Sequence, residues 1–323
     1  MFAKLNEALR ANPKTIVFTE GTDARILSAA DRLLSEELMG VVLVGEVAAV
    51  KAAAASGNFN IEKARIIDPA NYDGMDAMVE KMVELRKGKM TADDCRKNLM
   101  RGNYFGTMLV KMGEADALLG GATYSTADTV RPALQLIKTK PGNKIVSSCF
   151  IMTRDAADGT QERIAMGDCA INIHPGEDDL VEIAVETAKC AQTFGIDPKV
   201  AFLSFSTKGS AKDDSVTVVQ NAVAKAKEIM DVPVDGEMQF DAAVAPEVGQ
   251  LKFPGSKVAG EANVFIFPDV TSGNIGYKIA ARLGGFAAYG PILLGLNAPI
   301  NDLSRGCNAD EVYKMAIITC ALA

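Results

Sequence analysis

Short apolar runs alternate with longer amphipathic stretches along most of this sequence, and this alternation limits the folds that it can adopt. The runs at residues 15–18 and 41–44 have the length and β-branched content of strands, whereas residues 22–37 and 46–56 have helical character. Further strands are predicted at 144–152, 164–173, 200–205 and 264–267, with helices at 178–193, 214–230 and 275–283. Because such alternation is typical of sheets covered by helices, the sequence predicts an α/β protein.

The chain has 323 residues, which is enough for about two domains at ~150 residues per domain. The turn-forming cluster at residues 139–143 (TKPGN) precedes a long predicted strand and is the best candidate boundary. The segment 308–323 predicts an amphipathic helix. We hypothesise that this helix returns to the first domain.

Charge and hydropathy exclude several function classes. The chain carries 34 basic and 41 acidic residues, a net charge of −7, and no basic run, which argues against nucleic acid as the main partner. No apolar stretch reaches the ~18 residues of a membrane span, and the first residues lack the apolar block of a signal peptide. We therefore expect a cytoplasmic protein that does not bind membranes.

Histidine and cysteine usage narrows the chemistry further. His174 is the only histidine, so a polyhistidine metal site is excluded and a Ser-His-Asp triad would have to use this residue. Its place before a proline and an acidic helix start favours a loop or core histidine. The six cysteines are scattered without a CxxC pair, which indicates reduced thiols instead of a zinc site or disulfide framework.

Three loops share the order of apolar strand, small-residue loop and helix, at residues 120–126, 206–212 and 268–274. In open α/β sheets such loops place backbone N–H groups and a helix N-terminus where anions bind. The alternative is an ordinary turn whose Ser or Thr caps the helix. The candidate substrate-binding residues in or just after these loops are Ser125, Thr126, Ser206, Thr207, Lys208, Gly209, Asn274 and Lys278.

Arg131 directly precedes Pro132, a residue that is tolerated in a first helical turn, which places this arginine near a predicted helix start. An arginine at the positive end of a helix is electrostatically unfavourable. The conflict points to a ligand for Arg131, and a salt bridge to Asp128 is the alternative.

The segment 301–311 is the most informative. Ser304, Arg305 and Glu311 bring a hydroxyl, a guanidinium and a carboxylate within eight residues, a set that can orient a nucleophile and bind a phosphate. The alternative for Glu311 is a capping-box arrangement with Asn308. We interpret Cys307 as a packed thiol, because no nearby His or Lys would lower its pKa.

Several motifs together resemble those of the phosphate acetyl/butyryl transferase family. They are DTVRPALQ, FLSFSTKGSAK, DGEMQFDAA, VFIFPD followed by GNIGYKIAARLGG, and DLSRGC. The motifs occur in order over nearly the whole chain, and the combination of DLSRGC with STKGSAK is specific to this group.

The resemblance implies a reversible reaction in which acetyl-CoA and inorganic phosphate give acetyl phosphate and CoA. It also implies two α/β domains around a deep cleft, with an architecture like that of isocitrate and isopropylmalate dehydrogenases, and a homodimer. The expected domains are residues 1–142 plus 303–323 and residues 143–302. Neither a metal nor a cofactor is expected, since CoA is a substrate.

The resemblance also assigns roles. Ser304 and Arg305 match the catalytic pair of DLSRGC, Arg131 matches an arginine of substrate binding and catalysis, and Arg86 matches one associated with CoA. The position of the family's proposed base, an aspartate, holds Glu311, with Asp310 beside it. Whether Ser304 serves the oxyanion or orients the thiol, and whether Glu311, Asp310 or solvent takes the proton, stays open.

Three other interpretations compete with this one. A phosphate butyryltransferase differs in the size of its acyl pocket. One methylene of the acyl chain changes the binding free energy by only ~1–3 kcal/mol, so activity with acyl chains of different length separates the two. A non-catalytic sensor of acetyl-CoA is disfavoured by the intact Ser304-Arg305 pair. A decarboxylating dehydrogenase of related fold needs a metal-binding carboxylate cluster and a nicotinamide site, and the sequence shows neither.

Overall fold

The computed structural model describes residues 1–156 and 158–323. Its strands are β1 (Thr15–Phe18), β2 (Gly40–Val44), β3 (Arg65–Ile67), β4 (Ala117–Gly120), β5 (Ser147–Asp155), β6 (Gln161–Gly167), β7 (Val200–Leu203), β8 (Val234–Met238), β9 (Val264–Ile266), β10 (Ala287–Leu294) and β11 (Ile300–Asp302). Its helices are α1 (Phe2–Ala11), α2 (Ala24–Ser35), α3 (Val47–Gly57), α4 (Met75–Arg86), α5 (Ala92–Leu99), α6 (Gly102–Lys111), α7 (Thr126–Pro132), α8 (Glu177–Thr193), α9 (Asp214–Ile229), α10 (Phe240–Val244), α11 (Pro246–Lys252), α12 (Val270–Arg282) and α13 (Ala309–Ala321). Among these residues, no helix has the length and apolar character needed to cross a bilayer.

The chain forms two compact units, one of Met1–Pro141 with Leu296–Ala323 and one of Gly142–Gly295. Both contain parallel strands and helices, so the predicted α/β class is confirmed, and the dehydrogenase-like architecture stays a prediction. The predicted boundary at residue 302 was wrong for residues 296–302, which belong to the first unit. The reason is that β11 pairs in parallel with β4.

The sheet of the first unit is entirely parallel, in the order β11-β4-β1-β2-β3. Its central strands β1 and β4 are almost completely apolar and buried, as expected for a parallel sheet. From β1 the chain proceeds to β2 and β3 on one side, and later to β4 and β11 on the other. The carboxyl ends of β1 and β4 therefore form a topological switch point, where ligands bind in open α/β sheets.

The sheet of the second unit is mixed, in the order β10-β5-β6-β9-β7-β8. Strands β10, β5 and β6 pair antiparallel, whereas β6, β9, β7 and β8 pair in parallel. Its core includes the buried aromatic side chains of Phe150, Phe202 and Phe265. The parallel strands again align their carboxyl ends, and the loop at residues 206–212 follows β7.

Two predicted elements of the second unit were wrong in part. The strand predicted at 164–173 ends at Gly167, because the buried Asp168 carboxylate accepts the N–H groups of residues 170, 171 and 172 and forms a turn. The loop predicted at 268–274 is mostly helix, since Asp269 caps α12 by accepting the N–H of Ser272 at 2.8 Å. Asn274 thus lies inside α12.

Candidate active site

Ser304 and Arg305 lie in an exposed turn that follows β11. The carbonyl of Ser304 accepts the N–H of Cys307 at 2.9 Å, and its hydroxyl oxygen accepts the N–H of Gly306 at 3.2 Å. In the described part of the chain, the guanidinium of Arg305 has no ion pair. The turn therefore presents a hydroxyl and an uncommitted cation to solvent. Cys307 is buried, as predicted for a packed thiol, and burial raises its pKa.

Arg25, in the first turn of α2, holds this turn in place. Its Nη1 donates to the carbonyls of Arg305 at 2.8 Å and Cys307 at 3.1 Å, and its Nη2 donates to the carbonyl of Ala122 at 2.9 Å. An ion pair with Asp23 at 2.8 Å fixes the guanidinium. One side chain thus links the loops after β1, β4 and β11.

Asp302, the last residue of β11, joins the same turn to α7. Its carboxylate accepts the hydroxyls of Thr126 at 2.6 Å and Thr129 at 2.5 Å. Burial raises the pKa of Asp302, although the two hydroxyls oppose this shift. Gly121 makes the approach possible, because a Cβ there would lie 2.2 Å from Asp302 Oδ1 and its φ is +97°.

Glu20, which follows β1, anchors the loop after β4. Its Oε1 accepts the N–H of Gly121 at 3.2 Å and that of Thr123 at 3.0 Å, and its Oε2 accepts the Thr19 hydroxyl at 2.7 Å. Burial raises the pKa of Glu20, and these hydrogen bonds lower it in part. The switch point is therefore occupied by a carboxylate of the chain itself.

Arg131 lies near the end of α7, not near a helix start as predicted. The helix begins at Thr126, and a π-helical turn at Ala133–Ile137 follows it, so Pro132 is not in a first turn. The predicted alternative partner is present but distant, since Arg131 Nη1 lies 3.9 Å from Asp128 Oδ1. The arginine at the positive end of a helix is instead Arg25, in the first turn of α2. The sequence did not single it out, because its distant partners lie in two other segments, at Ala122 and in the turn of Arg305 and Cys307.

Ser125 precedes α7 and donates its hydroxyl to Asp128 at 2.8 Å. Its neighbour Thr126 is the residue that donates to Asp302, so Ser125 lies next to a residue bound to that turn. Arg86 is half-buried at the end of α4, and its buried Nε has no hydrogen-bond partner within the described residues. No hydrogen bond in this part of the chain ties Arg86 to the turn of Ser304 and Arg305.

The two candidate bases, Asp310 and Glu311, have different hydrogen-bond and ion-pair partners. Asp310 pairs with Lys314 at 2.7 Å and Arg32 at 3.2 Å, and the Lys314 ammonium holds its pKa below the usual value. Glu311 forms the capping box that was the alternative for it, because Oε2 accepts the Asn308 N–H at 3.0 Å. Glu311 is nonetheless solvent-exposed.

The candidate residues of the second unit fall into two groups. In the loop after β7, Ser206 and Thr207 are buried, and their hydroxyls form hydrogen bonds within the second unit. Gly209 donates its N–H to the carboxylate of Glu237, whereas the side chain of Lys208 is exposed. On α12, Lys278 donates to Asn274 Oδ1 at 2.6 Å, and Asn274 Nδ2 donates to the carbonyl of Cys169 at 3.0 Å.

The remaining predictions concern histidine and metal. His174 is exposed in the segment before α8. Among the residues that the structure describes, no three His, Cys, Asp or Glu side chains are grouped so as to hold a metal ion. The cysteines in this part of the chain are free thiols.

Comparison with known proteins agrees with the motifs. The family model described as Phosphate acetyl/butaryl transferase matches residues 1–320. The chain is 51% identical over 324 residues to a phosphate acetyltransferase of Bacillus subtilis, covering 100% of this chain and 99% of that protein. A solved phosphotransacetylase from Streptococcus pyogenes has 52% identity and a TM-score of 0.95, with 99% and 97% of the two chains covered.

A second solved phosphotransacetylase, from Staphylococcus aureus, has 49% identity and a TM-score of 0.91, with 98% and 96% of the two chains covered. The predicted resemblance is confirmed over the length of the chain. The chain belongs to the Phosphate acetyl/butaryl transferase family.

Proposed function

We propose that this protein is a phosphate acetyltransferase that converts acetyl-CoA and inorganic phosphate into acetyl phosphate and CoA, reversibly. The observation that carries the proposal is the exposed Ser304-Arg305 turn, held by Arg25 and Asp302 at the carboxyl ends of a parallel sheet. Relatives of about 50% identity over the full length carry the name of this activity.

The proposed chemistry is a direct transfer. The CoA thiol attacks the acyl carbon of acetyl phosphate, the carbon–oxygen bond to phosphate breaks, and a base takes the thiol proton. A thiol with a pKa of about 8.5 is mostly protonated at neutral pH, so such a base assists the attack. The planar guanidinium of Arg305 suits the departing phosphate. Ser304 donates to the oxyanion or orients the thiol.

Further cations would bind the phosphates of the substrates. We assign Arg131 and Arg86 to CoA, with Ser125 and Thr126 lining the same region of the first unit. In the second unit, the exposed Lys208 and Lys278 are the proposed binding groups. Ser206, Thr207, Gly209 and Asn274 shape that region through the hydrogen bonds described above. The proposal requires no metal and no cofactor.

We expect Glu311→Gln to lower kcat by about 10²-fold or more, which is the usual loss when a general base is removed. The glutamine oxygen still accepts the Asn308 N–H, so the capping box and the melting temperature should be preserved. The measurement is kcat for acetyl phosphate formation. Asp310→Asn is the control, because Asp310 is committed to Lys314 and Arg32. A large loss in the control alone would assign the base to Asp310.

Initial-rate kinetics test the direct transfer. A ternary complex without an acetyl-enzyme gives intersecting double-reciprocal lines when CoA is varied at several acetyl phosphate concentrations. Parallel lines would show a ping-pong mechanism with a covalent intermediate and would contradict this part of the proposal.

We also propose a cytoplasmic homodimer that associates through the second unit. Ile275 and Ile279 on α12, with Leu283 just after it, are 54%, 53% and 85% exposed and recur at four-residue spacing. A row of large apolar side chains on one helix face is typical of an interface between subunits. A second copy of the chain is the proposed occupant.

A further inference from the structure

Glu237, in β8, is a buried carboxylate that the sequence analysis did not single out. Its side chain is 2% exposed, and Oε1 accepts the Ser206 hydroxyl at 2.7 Å and the Gly209 N–H at 2.8 Å. Its Oε2 accepts from Gln220 Nε2 at 3.0 Å. All three donors come from the loop after β7 or from α9, so this one side chain ties both to β8.

The loop needs such an anchor because of its backbone conformation. Lys208 and Gly209 have φ values of +50° and +79°, two consecutive residues in the left-handed region. This region is costly for a residue with a side chain such as lysine. The N–H of Lys208 donates to the main-chain oxygen of Glu237 at 3.2 Å, and the N–H of Gly209 donates to its carboxylate. Glu237 therefore binds the strained Lys208 through its main chain and the neighbouring Gly209 through its side chain.

Backbone N–H groups at strand ends are groups with which proteins bind anions. In this loop one such group, the N–H of Gly209, already donates to the Glu237 carboxylate. The Thr207 hydroxyl is also committed, since it accepts the N–H of Gln239 at 2.9 Å. An exposed cation that this loop offers to a substrate is the side chain of Lys208, whose Nζ lies 5.0 Å from the centre of the Phe253 ring.

We infer that Glu237 is a positioning residue: its carboxylate fixes the loop through Ser206 and Gly209 and thereby sets the direction in which Lys208 meets a phosphate-bearing substrate. The inference rests on the proposed role of Lys208 in binding. It also revises the expectation for Ser206 and Gly209, which serve Glu237 and not the substrate.

The test compares Glu237→Leu, Glu237→Gln, Lys208→Ala and the double variant Glu237→Leu/Lys208→Ala. KM values for acetyl-CoA and for inorganic phosphate, kcat in this direction and the melting temperature are measured for each. Lys208→Ala is expected to raise one of the two KM values about tenfold, as for the loss of one charge-assisted contact. Glu237→Leu should raise the same KM by a similar factor, with kcat changed less than KM.

Coupling between the two residues is the decisive result. If Glu237 acts through Lys208, the double variant has nearly the KM of Lys208→Ala, because the second change removes nothing further. Glu237→Gln should stay within about threefold of wild type, since its amide oxygen can accept both loop donors and Gln220 can turn its amide. A merely structural role would lower the melting temperature without this KM pattern.

Two results would overturn the inference. Multiplicative KM effects in the double variant would show that Glu237 does not act through Lys208. No change of either KM in Lys208→Ala would refute the proposed role of Lys208, and the inference with it. If Glu237→Leu does not fold, Ser206→Ala takes its place in the same cycle, because it removes one of the two donors to Oε1.

Discussion

Arg305→Ala is expected to lower kcat/KM for acetyl phosphate formation by 10²-fold or more, with the melting temperature unchanged. The guanidinium is exposed and makes no ion pair within the described residues, so its removal breaks no contact that supports the fold. Its proposed role is to neutralise charge on the phosphate in the transition state, where a charged donor contributes several kcal/mol. The measurement is steady-state kinetics together with thermal unfolding.

Two further variants sharpen this result. Arg305→Lys keeps the charge but loses the planar, bidentate geometry, so we expect an intermediate loss of about tenfold. Arg65→Ala is the matched control, because Arg65 is also an exposed arginine of the first unit. It pairs with Glu114 at 2.8 Å and lies in β3, at the opposite edge of the sheet from β11. Full activity in Arg305→Ala would remove this residue from the mechanism.

Asp302→Ala is expected to lower both stability and activity. Asp302 is 2% exposed, and the substitution leaves the buried hydroxyl of Thr129 without its acceptor, at a cost of about 1–3 kcal/mol in the free energy of unfolding. The link between α7 and the turn of Ser304 is lost as well, and kcat/KM should fall at least tenfold, or ~1.4 kcal/mol in transition-state free energy.

Urea unfolding and steady-state kinetics measure these two effects. Asp76→Ala is the control, an exposed aspartate of the same unit whose loss should change the free energy of unfolding by less than about 0.5 kcal/mol. Wild-type activity in a destabilised Asp302→Ala would show that Asp302 supports the fold and not the turn.

The raised pKa of Asp302 also predicts a pH dependence. A buried acid whose pKa is raised contributes stability below its ordinary value of 3.8 and loses that contribution as the pH rises through the raised value. Wild type should therefore gain stability relative to Asp302→Asn as the pH falls from 7 toward 4. A stability difference that is independent of pH would contradict burial as the cause of the shift.

The periodic features of the sequence predicted the fold class and most elements, because buried strands and amphipathic helices leave local patterns. Features set by partners far away in sequence were not predictable in this way. The segment 296–302 belongs to the first unit because β11 pairs with β4, and nothing local to the segment signals this pairing. The start of α12 was missed because small polar residues resemble a loop until Asp269 is seen to cap them.

The residues of the candidate site also divide into those with a local sequence signal and those set by distant partners. Ser304 and Arg305 were found from their motif, and the structure leaves both exposed. Arg25, Glu20 and Glu237 were missed, since each acts through backbone groups of distant loops. The loops looked open to substrate in sequence because their N–H groups could not be assigned partners. In the structure, Glu20 accepts the N–H groups of Gly121 and Thr123, and Glu237 accepts that of Gly209.

Phosphate-dependent breakdown of acetyl-CoA by the purified protein decides whether the chain is a phosphate acetyltransferase. We expect that CoA is released only when phosphate or arsenate is present, and that acetyl phosphate accumulates with phosphate. Ser304→Ala should lower this rate by 10²-fold or more. A wild-type protein that binds CoA but releases none from acetyl-CoA under these conditions would contradict the transferase activity and indicate a sensor of acetyl-CoA.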